Sequence, residues 1–97
     1  MFARVARFQW KINMLDEAIK LYQESVIPAV KAQKGYHSIH LLVDRDTGNV
    51  VTVALWDSKE DMVATEKSGL IKEWVGKFNE YYIKSPTIER YEVAAQG

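Results

Sequence analysis

The chain has no cysteine, only two prolines and two histidines, and no excess of either charge, with thirteen Lys and Arg against thirteen Asp and Glu. Without cysteine there is no disulfide framework, no thiolate metal ligand and no cysteine nucleophile, a composition suited to a reducing compartment. A balanced charge with no Lys/Arg stripe lacks the electrostatic footprint of a nucleic-acid binder. No run approaches the ~20 apolar residues of a membrane span. Arg4 and Arg7 fall where a signal peptide needs an apolar stretch, so a cytoplasmic protein with no membrane partner is expected. His37 and His40 lie three apart on a predicted strand, hence on opposite faces, and cannot grip one metal within a subunit. A phosphate-binding glycine loop, a nucleophile elbow and a dinucleotide fingerprint are all missing, which removes kinase, hydrolase and dehydrogenase chemistry.

What is present is apolar periodicity that switches between two and 3.6. The 97 residues form one domain, 1–97, because two cores would each fall below the ~40-residue limit for folding without staples. From Phe2 to Ile12 the alternation puts Phe2, Arg4, Ala6, Phe8 and Trp10 on one face of a strand. Asn13 followed by Asp16 resembles a helix start, and Leu15, Ile19, Tyr22, Val26, Ala29 and Val30 form one apolar stripe. Pro28 should bend this helix without ending it, and Gly35 supplies a left-handed stop. Tyr36 to Val43 and Val50 to Trp56 read as a hairpin with Gly48 in its turn. Ser58 with Asp61 opens a second helical stretch, broken at Ser68-Gly69 and resumed from Leu70 to Tyr82. Ser85-Pro86 should then end the helix, leaving Thr87 to Val93 as the last strand. The expected class is α+β, a ferredoxin-like βαββαβ antiparallel sheet with both helical regions on one face.

Both sheet faces carry bulk. Val51, Val53 and Leu55 point one way while Val50, Ala54 and Trp56 point the other. Helices cover only one face, and an apolar patch of several hundred Å² is seldom left wet. A homodimer joined through the second face is therefore expected, each subunit on its own burying only about 60–65% of its unfolded surface.

The segment Ile27-Pro28-Ala29-Val30-Lys31-Ala32-Gln33-Lys34-Gly35-Tyr36, the hairpin tip Asp44-Arg45-Asp46-Thr47-Gly48, and Ala54-Leu55-Trp56-Asp57-Ser58-Lys59-Glu60-Asp61-Met62 resemble the antibiotic biosynthesis monooxygenase-like superfamily. The resemblance runs the whole chain. It implies a dimeric α/β barrel with a cavity between each sheet and its helices, in a family that includes cofactor-free oxygenases, haem-degrading enzymes and isomerases. The glutamate that many quinol oxygenases carry two residues before the strand-end tryptophan is here Ala54, and their helix histidine is Thr65. The haem branch's asparagine, tryptophan and axial histidine fall at Ala6, Thr65 and Val75. The resemblance thus implies membership without inheritance of either activity, and no cofactor is expected.

The candidate ligand-binding residues are His40, Thr52, Trp56, Thr65 and Trp74, with no catalytic residue assigned and no metal. If the hairpin pairs His40 with Ala54, that imidazole enters the cavity face beside Thr52 and can orient a phenol or act as a base. Trp74, Phe78, Tyr81 and Tyr82 suit either an aromatic pocket wall or plain core. Arg4 and Arg7 interrupt an apolar strand and could hold an acidic group, whereas Asp57, Glu60 and Asp61 fit a helix N-terminus. Two functions follow: a domain that binds, or as a cofactor-independent monooxygenase oxidises, a small aromatic or quinone-like molecule; or a non-catalytic homodimeric module whose cavity is filled by its own side chains. A cavity of about 300 Å³ or more reached by His40 favours the first, and closure by Trp74, Phe78 and Tyr82 favours the second.

Overall fold

Aromatic and β-branched residues alternate along β1 (Phe2–Trp10), the first element of the computed structural model, which describes all residues 1–97. The strand stops two residues before the expected end. Lys11 donates its N–H to the Tyr81 carbonyl, and Ile12, 52% exposed, enters a 3₁₀ turn (Ile12–Met14). The expected Asn13 cap is not used; Asn13 lies within that turn, and no side chain caps α1 (Leu15–Leu21). Pro28 lacks the N–H that the Glu24 carbonyl would accept. The helix absorbs this in a wider π turn (Tyr22–Val26), closed by the Ile27 N–H on the Tyr22 carbonyl, and continues as α2 (Ile27–Lys31). The proline therefore deforms the helix without ending it; the helix stops at Lys31, and the left-handed Gly35 (φ 81°) lies in the turn that leads on into β2.

β2 (Tyr36–Val43) and β3 (Asn49–Trp56) form the hairpin, and Ser58 Oγ accepts the Asp61 N–H to cap α3 (Lys59–Lys67). Gly69, at φ 86°, separates α3 from α4 (Leu70–Lys77). The expected helix to Tyr82 is too long. The chain turns through Phe78 to Tyr81, and β4 (Tyr82–Glu92) already begins at Tyr82 and runs straight past Pro86. Proline is tolerated there because β4 is an edge strand and its pairing with β1 is irregular between Arg7 and Trp10.

The sheet is antiparallel throughout in the order β2-β3-β1-β4, the ferredoxin-like arrangement. Arg4, Ala6 and Phe8 pair with Ala54, Thr52 and Val50, and Trp10 donates its N–H to Gly48 just before β3, so the four share the face under the helices. There Trp10, Val50 and Trp56 pack with Leu15, Ala18, Tyr22, Val26, Val30, Met62, Trp74 and Phe78. Trp10 and Trp56 are 1% and 2% exposed, and burying a large side chain is worth about 1.5–3 kcal/mol.

The hairpin register differs from the expected one by one residue. The Asp44–Gly48 connection sets Val43 opposite Val50, so His40 pairs with Val53 and Leu41 with Thr52. A one-residue slip moves every side chain to the other face. His40 is thus exposed on the outer face with Leu42, Val51, Val53 and Leu55. An irregularity between Tyr36 and Ser38 returns Tyr36 to the inner face opposite Trp56, although plain alternation from Leu42 would put it outside. On the outer face Val51, Val53 and Leu55 are only half-buried, and Leu42 and Tyr91 are 54% and 51% exposed.

Candidate ligand-binding site

The inner face of β1 and the apolar face of α4 do not quite meet. Between them lies a partly open hollow of about 60 Å³, lined by Arg4, Ala6, Phe8 and Trp10 from β1, Tyr22 and Val26 from the π turn, and Thr52 from β3. Ile71, Trp74, Val75 and Phe78 form its helical wall, and Tyr82, Pro86 and Ile88 its β4 side. A second hollow of about 40 Å³ shares Arg4, Tyr22, Val26, Thr52, Ile71 and Trp74 and extends toward Ile39, Ala54 and Trp56. The wall is ordered by aromatic contacts. Trp10 stacks on Phe78 at 5.4 Å with 15° between planes, and Phe8 meets Tyr82 edge-on at 5.6 Å. The π turn carries Tyr22 and Val26 into both hollows, so the helical irregularity forced near Pro28 shapes the cleft.

Arg4 is the single charged residue in the lining. Its side chain is 14% exposed, and its Nε donates to Glu66 Oε2 of α3 at 3.2 Å. Glu66 also accepts from Arg90 of β4, whose Cα partner on β1 is Arg4 itself. Burial pulls the Arg4 guanidinium below the usual arginine range, and the bond to Glu66 opposes this. For Glu66, burial works against the charge, but the bonds from Arg90 and Arg4 outweigh it and hold the carboxyl below its ordinary value. Burial raises the Tyr22 phenol well above its normal range despite nearby Arg4, and pushes Tyr82 up to about 12, so both stay neutral hydroxyls. Two further donors are stranded: the indole N–H groups of Trp10 and Trp56 are buried with no hydrogen-bond partner.

Thr52 and Trp74 line both hollows, and Trp56 the smaller. Thr65 does not join them; its Oγ1 donates to the Asp61 carbonyl, and it lines a separate surface hollow with Gln33, Lys34 and Asp61. His40 faces away from the cleft, for the register reason given above. Phe78 and Tyr82 stand in the wall, whereas Tyr81 is buried outside it. Arg7 faces outward and bonds Glu89 on its own subunit's β4 at 2.8 Å. Arg4, expected to hold an acidic group, holds Glu66 of its own chain, whereas Glu66, Arg90 and Tyr22 are not among the expected site residues. Arg4 did leave a signal, a charge placed by alternation on the same face as Phe8 and Trp10, but nothing local points to Glu66 or Arg90.

The profile of antibiotic biosynthesis monooxygenases, compared with the sequence, matches residues 1–77. The chain belongs to the antibiotic biosynthesis monooxygenase family. Among curated proteins it is 26% identical over 95 residues to the uncharacterized protein Rv2557 of Mycobacterium tuberculosis, covering 98% of this chain and 42% of that one. The chain therefore spans less than half the length of the curated relatives it matches. Solved structures share the fold. A monooxygenase from Streptomyces coelicolor, bound to nanaomycin D, superposes with TM-score 0.75 at 17% identity, over 98% of this chain and 88% of that one. Rv0793 of Mycobacterium tuberculosis gives 0.77 at 17% identity over 98% and 96%. A conserved protein from Methanosarcina mazei gives 0.78 at 18% over 94% and 90%. No helix of this member is long and apolar enough to cross a membrane.

Proposed function

We propose that this family member is a homodimeric domain that binds a small aromatic or quinone-like molecule in the cleft between β1 and α4. The observation that carries this reading is the lining itself: stacked rings of Trp10 and Phe78, with Phe8, Trp74 and Tyr82, around a few hydrogen-bond donors. Flat apolar ligands need large complementary faces and few polar anchors. Thr52, Trp56 and Trp74 are the proposed contacts from the sequence reading, joined by Arg4, Tyr22 and Trp10. The Streptomyces coelicolor monooxygenase of the same fold binds nanaomycin D. The outer face supports the dimer, since Leu42, Val51, Val53, Leu55 and Tyr91 form one apolar surface that a second copy can cover by two-fold symmetry.

Binding is favoured over oxygenation because a ligand that arrives neutral would need a base in the cleft to take its proton before oxygenation. No Asp, Glu or His lines either hollow, and Glu66 is held between two arginines. The self-filled structural module has direct support: His40 does not reach the hollow, and Trp74, Phe78 and Tyr82 line it closely. The hollows measure about 60 and 40 Å³, less than a ring system needs, so a ligand enters only if Trp74 and Phe78 move aside with α4. Naphthoquinone added to the purified protein should quench tryptophan emission saturably and raise the melting temperature. Linear, non-saturating quenching with an unchanged melting temperature would leave the self-filled module.

A further inference from the structure

Every polar side chain in the cleft is able to donate a hydrogen bond, and none is an ionised acceptor. The lining holds one guanidinium, the hydroxyls of Tyr22, Tyr82 and Thr52, and the two indoles whose N–H groups lack partners. Arg4 spends only Nε within the protein; its single side-chain hydrogen bond runs to Glu66, while the residue lines both hollows. Glu66 in turn divides one negative charge between two guanidiniums, because Arg90 bonds both of its oxygens. The group as a whole therefore keeps one uncompensated positive charge.

Resting on the reading of the cleft as a ligand site, we infer that its ligand is a flat aromatic molecule carrying an anionic oxygen, an aryl carboxylate or an ionised enol, which sits against the free nitrogens of Arg4. A guanidinium with Nε engaged still presents terminal N–H groups suited to a carboxylate or enolate oxygen. A buried cation without full compensation is costly, and so are buried N–H groups without acceptors. An anionic ligand satisfies the cation, and a second oxygen on the same ring satisfies an indole N–H once ligand entry opens the packing that encloses it. A neutral hydrocarbon would satisfy neither. Burial lowers the Arg4 guanidinium despite its bond to Glu66, in keeping with a cation only partly compensated.

The test uses matched pairs at neutral pH and moderate salt, each titrated into the dimer by calorimetry. The hydroxynaphthoquinone lawsone, whose enol is ionised at that pH, is compared with neutral naphthoquinone, and naphthoate with naphthamide. At least one anion should bind about tenfold or more tightly than its neutral partner, and which pair shows the larger ratio identifies enolate or carboxylate. Arg4→Gln should bring the ratio near one, and Arg4→Lys should restore part of it. Glu66 keeps Arg90 as a partner in both variants, and the wild-type ratio stands as a test even if a variant fails to fold. Equal binding of charged and neutral partners by the wild type overturns the inference and leaves the aromatic cleft standing. Binding of no probe at all overturns both.

Discussion

Arg4 on β1 and Glu66 on α3 stand 62 positions apart in sequence and meet at 3.2 Å, both side chains about 85% buried. This contact ties the helical layer to the centre of the sheet at the floor of the cleft. Replacing Glu66 by Gln leaves two guanidiniums facing each other, one of them enclosed, and should cost about 3 kcal/mol of stability. The pH dependence follows from the lowered carboxyl. The unfolded chain takes up its proton first, so the contribution is complete above the ordinary Glu value of about 4.3 and drains away as pH falls through the depressed folded value. Glu89, lowered by Arg7 and Tyr91, also loses its charge on the acid side, but it is the same in the wild type and in Glu66→Gln, so the difference between the two isolates Glu66. Urea denaturation in high salt from pH 3 to pH 7 should therefore show an acid-side loss in the wild type that is much flatter in Glu66→Gln. Parallel profiles would mean that the contact contributes little.

Val53→Asp tests the outer face. The side chain opposes Val5 and His40 on the sheet surface away from the helices, half-buried in one subunit. A carboxylate there can reach water in the free subunit but not under a second sheet. Sedimentation of the wild type at micromolar concentration should give about twice the 11.2 kDa chain mass, and the variant should sediment as a folded monomer. A wild-type monomer, or a variant that dimerises unchanged, would remove the outer face as the interface.

Gly35→Ala tests the junction between α2 and β2. At φ 81° a side chain is strained by about 1–2 kcal/mol, and here its Cβ would collide with the side chain of Asp61. Asp61 is the residue that the Ser58 cap engages, so the substitution also loosens the start of α3. The expected loss is about 2–3 kcal/mol by denaturant melting, whereas Gly76→Ala, within α4 and with nothing in reach of the new atom, should be neutral or slightly stabilising. Equal effects at the two glycines would contradict the packing of Gly35 on Asp61.

Haemin should give no stoichiometric complex. α4 contains neither His nor Cys, and the one ionisable phenol on the β4 side of the cleft, Tyr82, is pushed up to about 12 by burial, away from the tyrosinate that iron would need. Weak absorbance changes removed by excess albumin are expected. A sharp Soret band at one equivalent, lost in Tyr82→Phe, would show that the cleft accepts haem.

The legible parts of the sequence were those written in local chemistry. The Ser58–Asp61 cap, the left-handed Gly35 and Gly69, and the two-sided alternation of β3 each name their own structure within a few residues. The errors arose where parity or distant partners decide. His40 was placed by a hairpin register that the Asp44–Gly48 connection shifts by one residue, and Tyr82 continues a helical stripe that the Phe78–Tyr81 turn interrupts. Glu66 looks like an ordinary solvated helix carboxylate until the sheet brings Arg4 and Arg90 beneath it. For the same reason the cleft could be located in sequence by its aromatics but not measured, since its volume depends on how closely Trp74 and Phe78 approach Trp10.

The chain has three tryptophans, and all three line the two hollows. Their indole N–H resonances in a nitrogen-15 correlation spectrum are therefore a direct monitor of the cleft, free of contributions from the rest of the surface. Naphthoquinone or lawsone, added to saturation, should shift all three peaks. The unpartnered Trp10 and Trp56 groups should move furthest where a ligand oxygen takes up their N–H. Three unmoved indole peaks in the presence of a large excess of both probes would contradict binding in the cleft.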